Sequence, residues 1–147
     1  MMIEYTVRVS DNSIEWFLDG QRHRLDGPAF ESVNGDTFWY LNDKLHREDG
    51  PAVEHVDGSK FWWLNGRLHR LDGPAIEWAN GDKSWWLNGQ RHRTDGPAVE
   101  HVDGSKFWWL NGKNYTEEEF IAKTQPVKEL TVAEIEKLLG YTIKVVK

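Results

Sequence analysis

Four His-Arg pairs recur along the chain, at His23-Arg24, His46-Arg47, His69-Arg70 and His92-Arg93. A guanidinium is a planar fork of donors matched to phosphates and carboxylates, so a row of arginines at fixed spacing suits an anionic ligand. Tyr40, Trp63, Trp86 and Trp109 keep the same spacing. Such rings stack on bases, and Arg plus aromatic in repeated register suits a nucleotide-derived small molecule. Each arginine is also followed seven residues later by a glutamate: Glu31, Glu54, Glu77 and Glu100. On one face of a sheet these would form a ladder of ion pairs, with each histidine packed on a tryptophan and bonded to a turn backbone. From the residues alone, both uses of the arginines stand.

Other chemistry has less material. His55 and His101 lie near Asp57 and Asp103. The lysines expected opposite them, Lys60 and Lys106, repel a cation, and no third ligand is evident, so no metal site and no cofactor is expected. The absence of cysteine excludes disulfides and thiolate chemistry and fits a reducing cytoplasm. The glutamates recur as equals, whereas an enzyme needs one asymmetric constellation; the expectation is a non-enzyme. The glycines punctuate turns rather than form a phosphate-cradling loop. Eighteen Lys and Arg against 24 Asp and Glu give a net charge of −6, which disfavours duplex nucleic acid and anionic membranes. No apolar run reaches the length of a membrane span. The opening MMIEYTVRVSDNS lacks the pattern of a signal peptide, which points to a cytoplasmic location.

The elements that must position these groups come from a repeat. Asp-Gly-Pro begins at Asp26, Asp49, Asp72 and Asp95, always 23 residues apart. The leucine of a W-x-L-N-G element follows the same period at Leu18, Leu41, Leu64, Leu87 and Leu110. Fixed periods of this size mark stacked units. Asp49–Gly66 and Asp95–Gly112 are identical, as a tandem duplication of 46 residues would leave them. Within a unit, Asp57-Gly58 and its counterparts separate two apolar-rich runs, and Asn65-Gly66 forms a second turn of the same kind. Proline after Asp-Gly removes an amide donor and ends a strand. The pattern predicts an all-β fold: an elongated, twisted sheet of five stacked 23-residue meander or hairpin repeats.

A two-residue loop at Asp57-Gly58 would set His55 opposite Lys60, Val53 opposite Trp62 and Ala52 opposite Trp63. Alternation then places Val53, Trp62, Leu64 and His69 on a core face. Glu54, Phe61, Trp63, Leu68 and Arg70 share the other. The core face keeps its tryptophan at positions 16, 39, 62, 85 and 108, and its apolar residue at Val7, Phe30, Val53, Ile76 and Val99. The second face varies, carrying Glu15, Phe38, Phe61, Ser84 and Phe107 at one site, and is expected to be the working surface.

The ends differ. Ile3–Val9 reads as an opening strand. Asn114-Tyr115 replaces His-Arg in the last unit. Thr116–Glu119 and Thr131–Glu134 are capping boxes that open two helices, the second stopped by Gly140. Pro126 marks a linker between them, and Tyr141–Val146 is a candidate final strand. Residues 1–112 thus form the β-repeat domain and 113–147 a small helical cap. Six lysines and six glutamates balance the charge of this tail. Its apolar stripes are expected to dock on the last hairpin or on a second copy of the chain, giving a homo-oligomer through residues 113–147.

The units W-x-N-G-x-x-H and the 23-residue period resemble MORN-type β-hairpin repeats over residues 5–112. The chain departs from them in carrying Arg after the His. The W-L-N-G/H-R-x-D-G-P-A pattern is more similar to repeat proteins of tailed phages and giant viruses, as are the start Y-T-V-x-V-x-D-N and the ending E-I-E-K-L-L-G-Y. The resemblance implies a phage-type protein in a bacterial host cell that serves as a binding partner rather than a catalyst. Two functions follow. One is counter-defence by sequestering a nucleotide immune signal, with Arg24, Arg47, Arg70, Arg93, Tyr40, Trp63, Trp86, Trp109, Glu54 and Glu77 forming the site. The other is a protein–protein interaction scaffold that binds a host or virion protein through its aromatic stripe. A pocket of unpaired arginines would favour the first, and a stripe with every arginine on its glutamate the second.

Overall fold

The computed structural model describes residues 3–125, 129–142 and 144. It shows an elongated, antiparallel sheet made of short hairpins, followed by two small helices. The main sheet has twelve strands among the described residues and runs in sequence order, from Thr6–Val9 and Ser13–Leu18 to Lys106–Leu110 and Lys113–Tyr115. Most of its inner strands are two residues long, such as Val53–Glu54, Lys60–Phe61, Ile76–Glu77 and Lys83–Ser84. A second row of hairpins leaves it: Tyr40–Leu41 with Lys44–Leu45, Trp63–Leu64 with Arg67–Leu68, and Trp86–Leu87 with Gln90–Arg91. Because Lys106–Leu110 pairs with Lys113–Tyr115, one hairpin spans residue 112.

The two turn types have different geometry. Asn65 and Gly66 both take positive φ, 51° and 76°, as a type I′ turn requires, and Trp63 pairs with Leu68 across them. At Asp57-Gly58 only the glycine does, with φ 94°. The Asp57 carboxylate instead accepts the Ser59 amide at 2.8 Å, while His55 N–H donates to the Ser59 carbonyl. The aspartate side chain thus builds a loop one residue longer. Val53 therefore pairs with Phe61 and Glu54 with Lys60, not Val53 with Trp62. A shift of one residue exchanges faces. Val53, Phe61 and the second-row aromatics belong to one side; Trp62, Leu64 and His69 line a cleft on the other, with Arg70. This corrects the expected face assignment.

Successive hairpins are tied by backbone bonds. Trp62 N–H donates to the Ala75 carbonyl (2.8 Å), Arg70 N–H to the Trp86 carbonyl (3.1 Å) and Gly89 N–H to the Leu68 carbonyl (2.9 Å). At this junction Ala29, Ala52, Ala75 and Ala98 are fully buried, with Val53, Ile76 and Val99 beside them. Val7, assigned to the core by the repeat alignment, lies at the sheet's edge and is exposed.

The helices follow their capping boxes. α1, Glu117–Thr124, starts at Thr116 and buries Phe120 against the last hairpin. α2, Val132–Leu139, starts at Thr131 and stops at Gly140, in the left-handed region. No α2 residue is buried, so of the expected docked stripes only that of α1 is covered here. No described helix is long and apolar enough to cross a membrane. Pro126 lies outside the described residues; so do Ile143, Val145 and Val146 of the candidate final strand, while Tyr141, Thr142 and Lys144 are not in a strand.

Ala75 has no room for a larger side chain. Ala75→Leu should lower stability by about 1–3 kcal/mol in urea unfolding, whereas the exposed Leu71→Ala should change it by less than about 0.5 kcal/mol.

Candidate functional site

The four arginines of the His-Arg pairs are each held by four groups. Arg70 Cζ lies 3.9 Å from the centre of the Trp62 ring. Its Nε donates to Asp72 Oδ1 (2.9 Å), and Nη1 donates to the Pro74 carbonyl (3.1 Å) and to Glu77 Oε1 (2.9 Å). Arg24, Arg47 and Arg93 repeat this on Trp16, Trp39 and Trp85, each at 4.0 Å, and donate to Glu31, Glu54 and Glu100. A guanidinium on an indole face gains from the ring quadrupole while its edge keeps its hydrogen bonds. A Cβ added to Gly73 would sit 3.1 Å from Arg70 Cζ, so the glycine of Asp-Gly-Pro is needed for close approach. The triplet is an arginine receptor: aspartate takes Nε, glycine makes room, and the proline carbonyl takes Nη1.

The histidines are structural partners of the next turn. His46 Nδ1 accepts the Asn65 amide at 3.2 Å, and His69 and His92 do the same for Asn88 and Asn111. The Nδ1 atoms of His55 and His101 stand 3.4 Å from Asp36 and 2.9 Å from Asp82. Hydrogen bonds from His101 and the Val102 amide hold the Asp82 carboxyl below its ordinary range. Among the described residues no three histidines, aspartates or glutamates stand together as metal ligands would.

The structure therefore separates the candidate residues. Arg24, Arg47, Arg70 and Arg93 lie with Glu54, Glu77 and the first tryptophans. Arg70 and Trp86 share a backbone hydrogen bond, but the Trp86 side chain faces the opposite side, with Trp109. Three clefts of about 500, 600 and 560 Å³ follow one another on the arginine side, and the aspartates on their walls, Asp26, Asp49, Asp72 and Asp95, are each engaged by an arginine.

The opposite side carries a row of rings in edge contact: Phe30, Phe38, His55, Phe61 and Trp78. The row breaks at Ser84. Behind the break lies a cavity of about 330 Å³, floored by Ile76 and Val99 and walled by Trp78, Trp86, Phe107 and Trp109. Arg91 reaches into it, with Cζ 5.1 Å from the Trp86 ring centre and 5.2 Å from that of Trp109. Arg91 Nε and the Trp109 indole nitrogen are buried without a hydrogen-bond partner, and no carboxylate pairs with Arg91 among the described residues. The Trp86 indole N–H donates to Ser84 Oγ at 2.8 Å. Trp86 and Trp109 were in the expected site; Arg91, Trp78 and Ser84 were not. The signal for them is a broken correspondence: Glu15 and Arg22 stand seven residues apart and pair at 2.7 Å, while Ser84 and Arg91 occupy the same two positions.

No protein-family model, curated protein or solved structure matches the chain.

Removing Arg70 strips Trp62 of its cover and leaves Glu77 half-buried without its cation. Arg70→Ala should lower stability by about 2–4 kcal/mol in urea unfolding; an unmoved midpoint would show that the stack contributes nothing. The pH dependence has a defined sign. Hydrogen bonds from Arg47, Arg70 and Arg93 hold the carboxyls of Asp49, Asp72 and Asp95 below their ordinary 3.8. A depressed folded-state pKa stabilises the fold above the ordinary value, and that contribution disappears as pH falls through the folded value. Stability should therefore drop on acidification below about pH 4, and Arg70→Ala should return the Asp72 titration, read by carboxyl NMR, toward 3.8.

Proposed function

We propose that the chain is a non-catalytic binding protein that captures a small, nucleotide-derived ligand on its aromatic face. In this reading it is built of five stacked 23-residue MORN-like units with a helical cap. It acts in the cytoplasm of a bacterial host as a phage-type protein, taking an immune signal out of circulation. The observation that carries the reading is Arg91, a charge held between two indoles beside an open cavity, with no counter-ion among the described residues. The arginine ladder is framework rather than site, because each of its guanidiniums already has two carboxylates and a carbonyl. The non-catalytic part rests on the same pairing, since Glu31, Glu54, Glu77 and Glu100 are all spent on their arginines.

The scaffold reading is favoured by a different observation. Trp78 and Phe107 are about half exposed, at 48% and 45%, and lie on the same side of the sheet as Phe38 and Phe61, which makes that side apolar along its length. Interfaces favour such residues.

Native mass spectrometry of the protein recovered from infected cells should separate the two. A ligand-capturing protein carries one added small-molecule mass per chain, released unchanged on denaturation. A stoichiometric host or virion protein with no small-molecule mass would replace capture by scaffolding, and a released molecule altered from the one supplied would overturn the non-catalytic assignment.

A further inference from the structure

Resting on the reading that the aromatic face is the recognition surface, we infer that the cavity at Ser84 is a single site for a flat aromatic ring bearing an anionic group, and that residue 84 creates it. At the positions equivalent to 84 the chain has Glu15, Phe38, Phe61 and Phe107; at those equivalent to 91 it has Arg22, Leu45, Leu68 and Asn114. Where the second position is arginine, the first hairpin supplies Glu15, and Arg22 Nη2 meets it at 2.7 Å. Where it is leucine, the first position is phenylalanine. Only the Ser84–Arg91 hairpin combines arginine with a residue too small to fill the space and unable to neutralise the charge. Serine removes a ring and a carboxylate at once, leaving both a void and an unbalanced cation.

The void has the shape of a ring site. Trp86 and Trp109 flank the guanidinium, and Trp78 and Phe107 close two sides. Indole walls favour a flat π-system, which stacks with little loss of freedom. A volume of about 330 Å³ lies at the small end of ligand pockets, so one ring system with its substituent fits and a cyclic oligonucleotide does not.

The charge is complementary to an anion. Arg91 has no carboxylate partner, and Lys83, also on the cavity wall, makes no ion pair among the described residues. Asp82, the one carboxylate on the wall, is occupied by His101 and the Val102 amide. A ligand oxygen at the guanidinium supplies the missing acceptor in a charge-assisted hydrogen bond. A phosphate on a nucleoside and a carboxylate on an aromatic acid share this chemistry.

The test is isothermal titration of the full chain with four probes, alongside its tryptophan fluorescence. AMP and indole-3-acetate each join a ring to an anion; adenosine has the ring alone and inorganic phosphate the anion alone. One or both of the joined probes should bind with one site per chain, and adenosine and phosphate at least tenfold more weakly. AMP alone binding identifies a nucleotide site, and indole-3-acetate alone an aromatic-acid site. Ser84→Glu restores the Glu15–Arg22 arrangement, and Ser84→Phe fills the space with the ring that three other hairpins carry there. Each should weaken binding at least tenfold with an unfolding midpoint no lower than wild type, so lost binding is not lost folding. Arg91→Gln should weaken AMP at least tenfold and adenosine little. Failure of both joined probes to saturate the wild type overturns the proposal, as does unchanged binding in both position-84 variants. If Trp63→Ala abolishes binding while the position-84 variants bind normally, this site is wrong and the aromatic-face reading stands. If all these variants bind as wild type does, both are wrong.

Discussion

The stack of arginine on tryptophan is the interaction on which the rest of the molecule depends. Strands of two residues in one layer bury very little on their own, and the fully buried side chains at the junctions are alanines. A large indole on such a sheet would stand open to water. The guanidinium covers it, being flat, weakly hydrated and able to keep its hydrogen bonds in the plane while its face meets the ring. Arg24, Arg47, Arg70 and Arg93 keep only about a fifth of their side-chain surface exposed. A lysine in their place would bring a point charge with no face to lay on the indole.

That role explains why one side of the sheet is so regular. Each arginine links its own tryptophan, the Asp-Gly-Pro loop after it and the glutamate of the next hairpin, so changing one member strands the others. Units joined only to their neighbours make stability a sum of such local links. The aromatic side lacks this mutual dependence. Phe38, Phe61 and Phe107 contribute contacts in pairs, and one of the series can be exchanged, as at Ser84, while the backbone register continues through Ile76, Ser84 and Val99. Exchange at position 84 is therefore structurally inexpensive.

Much of this is legible in the residue order. The Asn-Gly hairpins and both capping boxes follow from local chemistry, because the bonds that define them join residues within seven positions of one another. The face assignment was not legible, for an equally local reason. Asp-Gly by itself implies a two-residue turn, but the Ser59 amide donates to the Asp57 carboxylate and the loop is one residue longer. That single residue moves Val53 from the Trp62 side to the Phe61 side and sets the arginines apart from Trp63 and Trp86. The arginine–glutamate ladder survives because a spacing of seven is indifferent to which face is which. Arg91 is not legible from the repeat, because what sets it apart is the absence at Ser84 of the carboxylate that Glu15 gives Arg22.

An uncompensated guanidinium with a buried, unbonded Nε costs free energy that the fold can readily avoid. Leu45 and Leu68 occupy the same place in neighbouring hairpins, and Glu15 shows the chain's own way of neutralising an arginine there. Both solutions fit the same backbone, so nothing about the register forces the unsatisfied one. Beside the cavity at Ser84 the conflicts of packing and charge fall together, with Arg91 Nε and the Trp109 indole nitrogen both buried without a partner where the neighbouring hairpins place leucine.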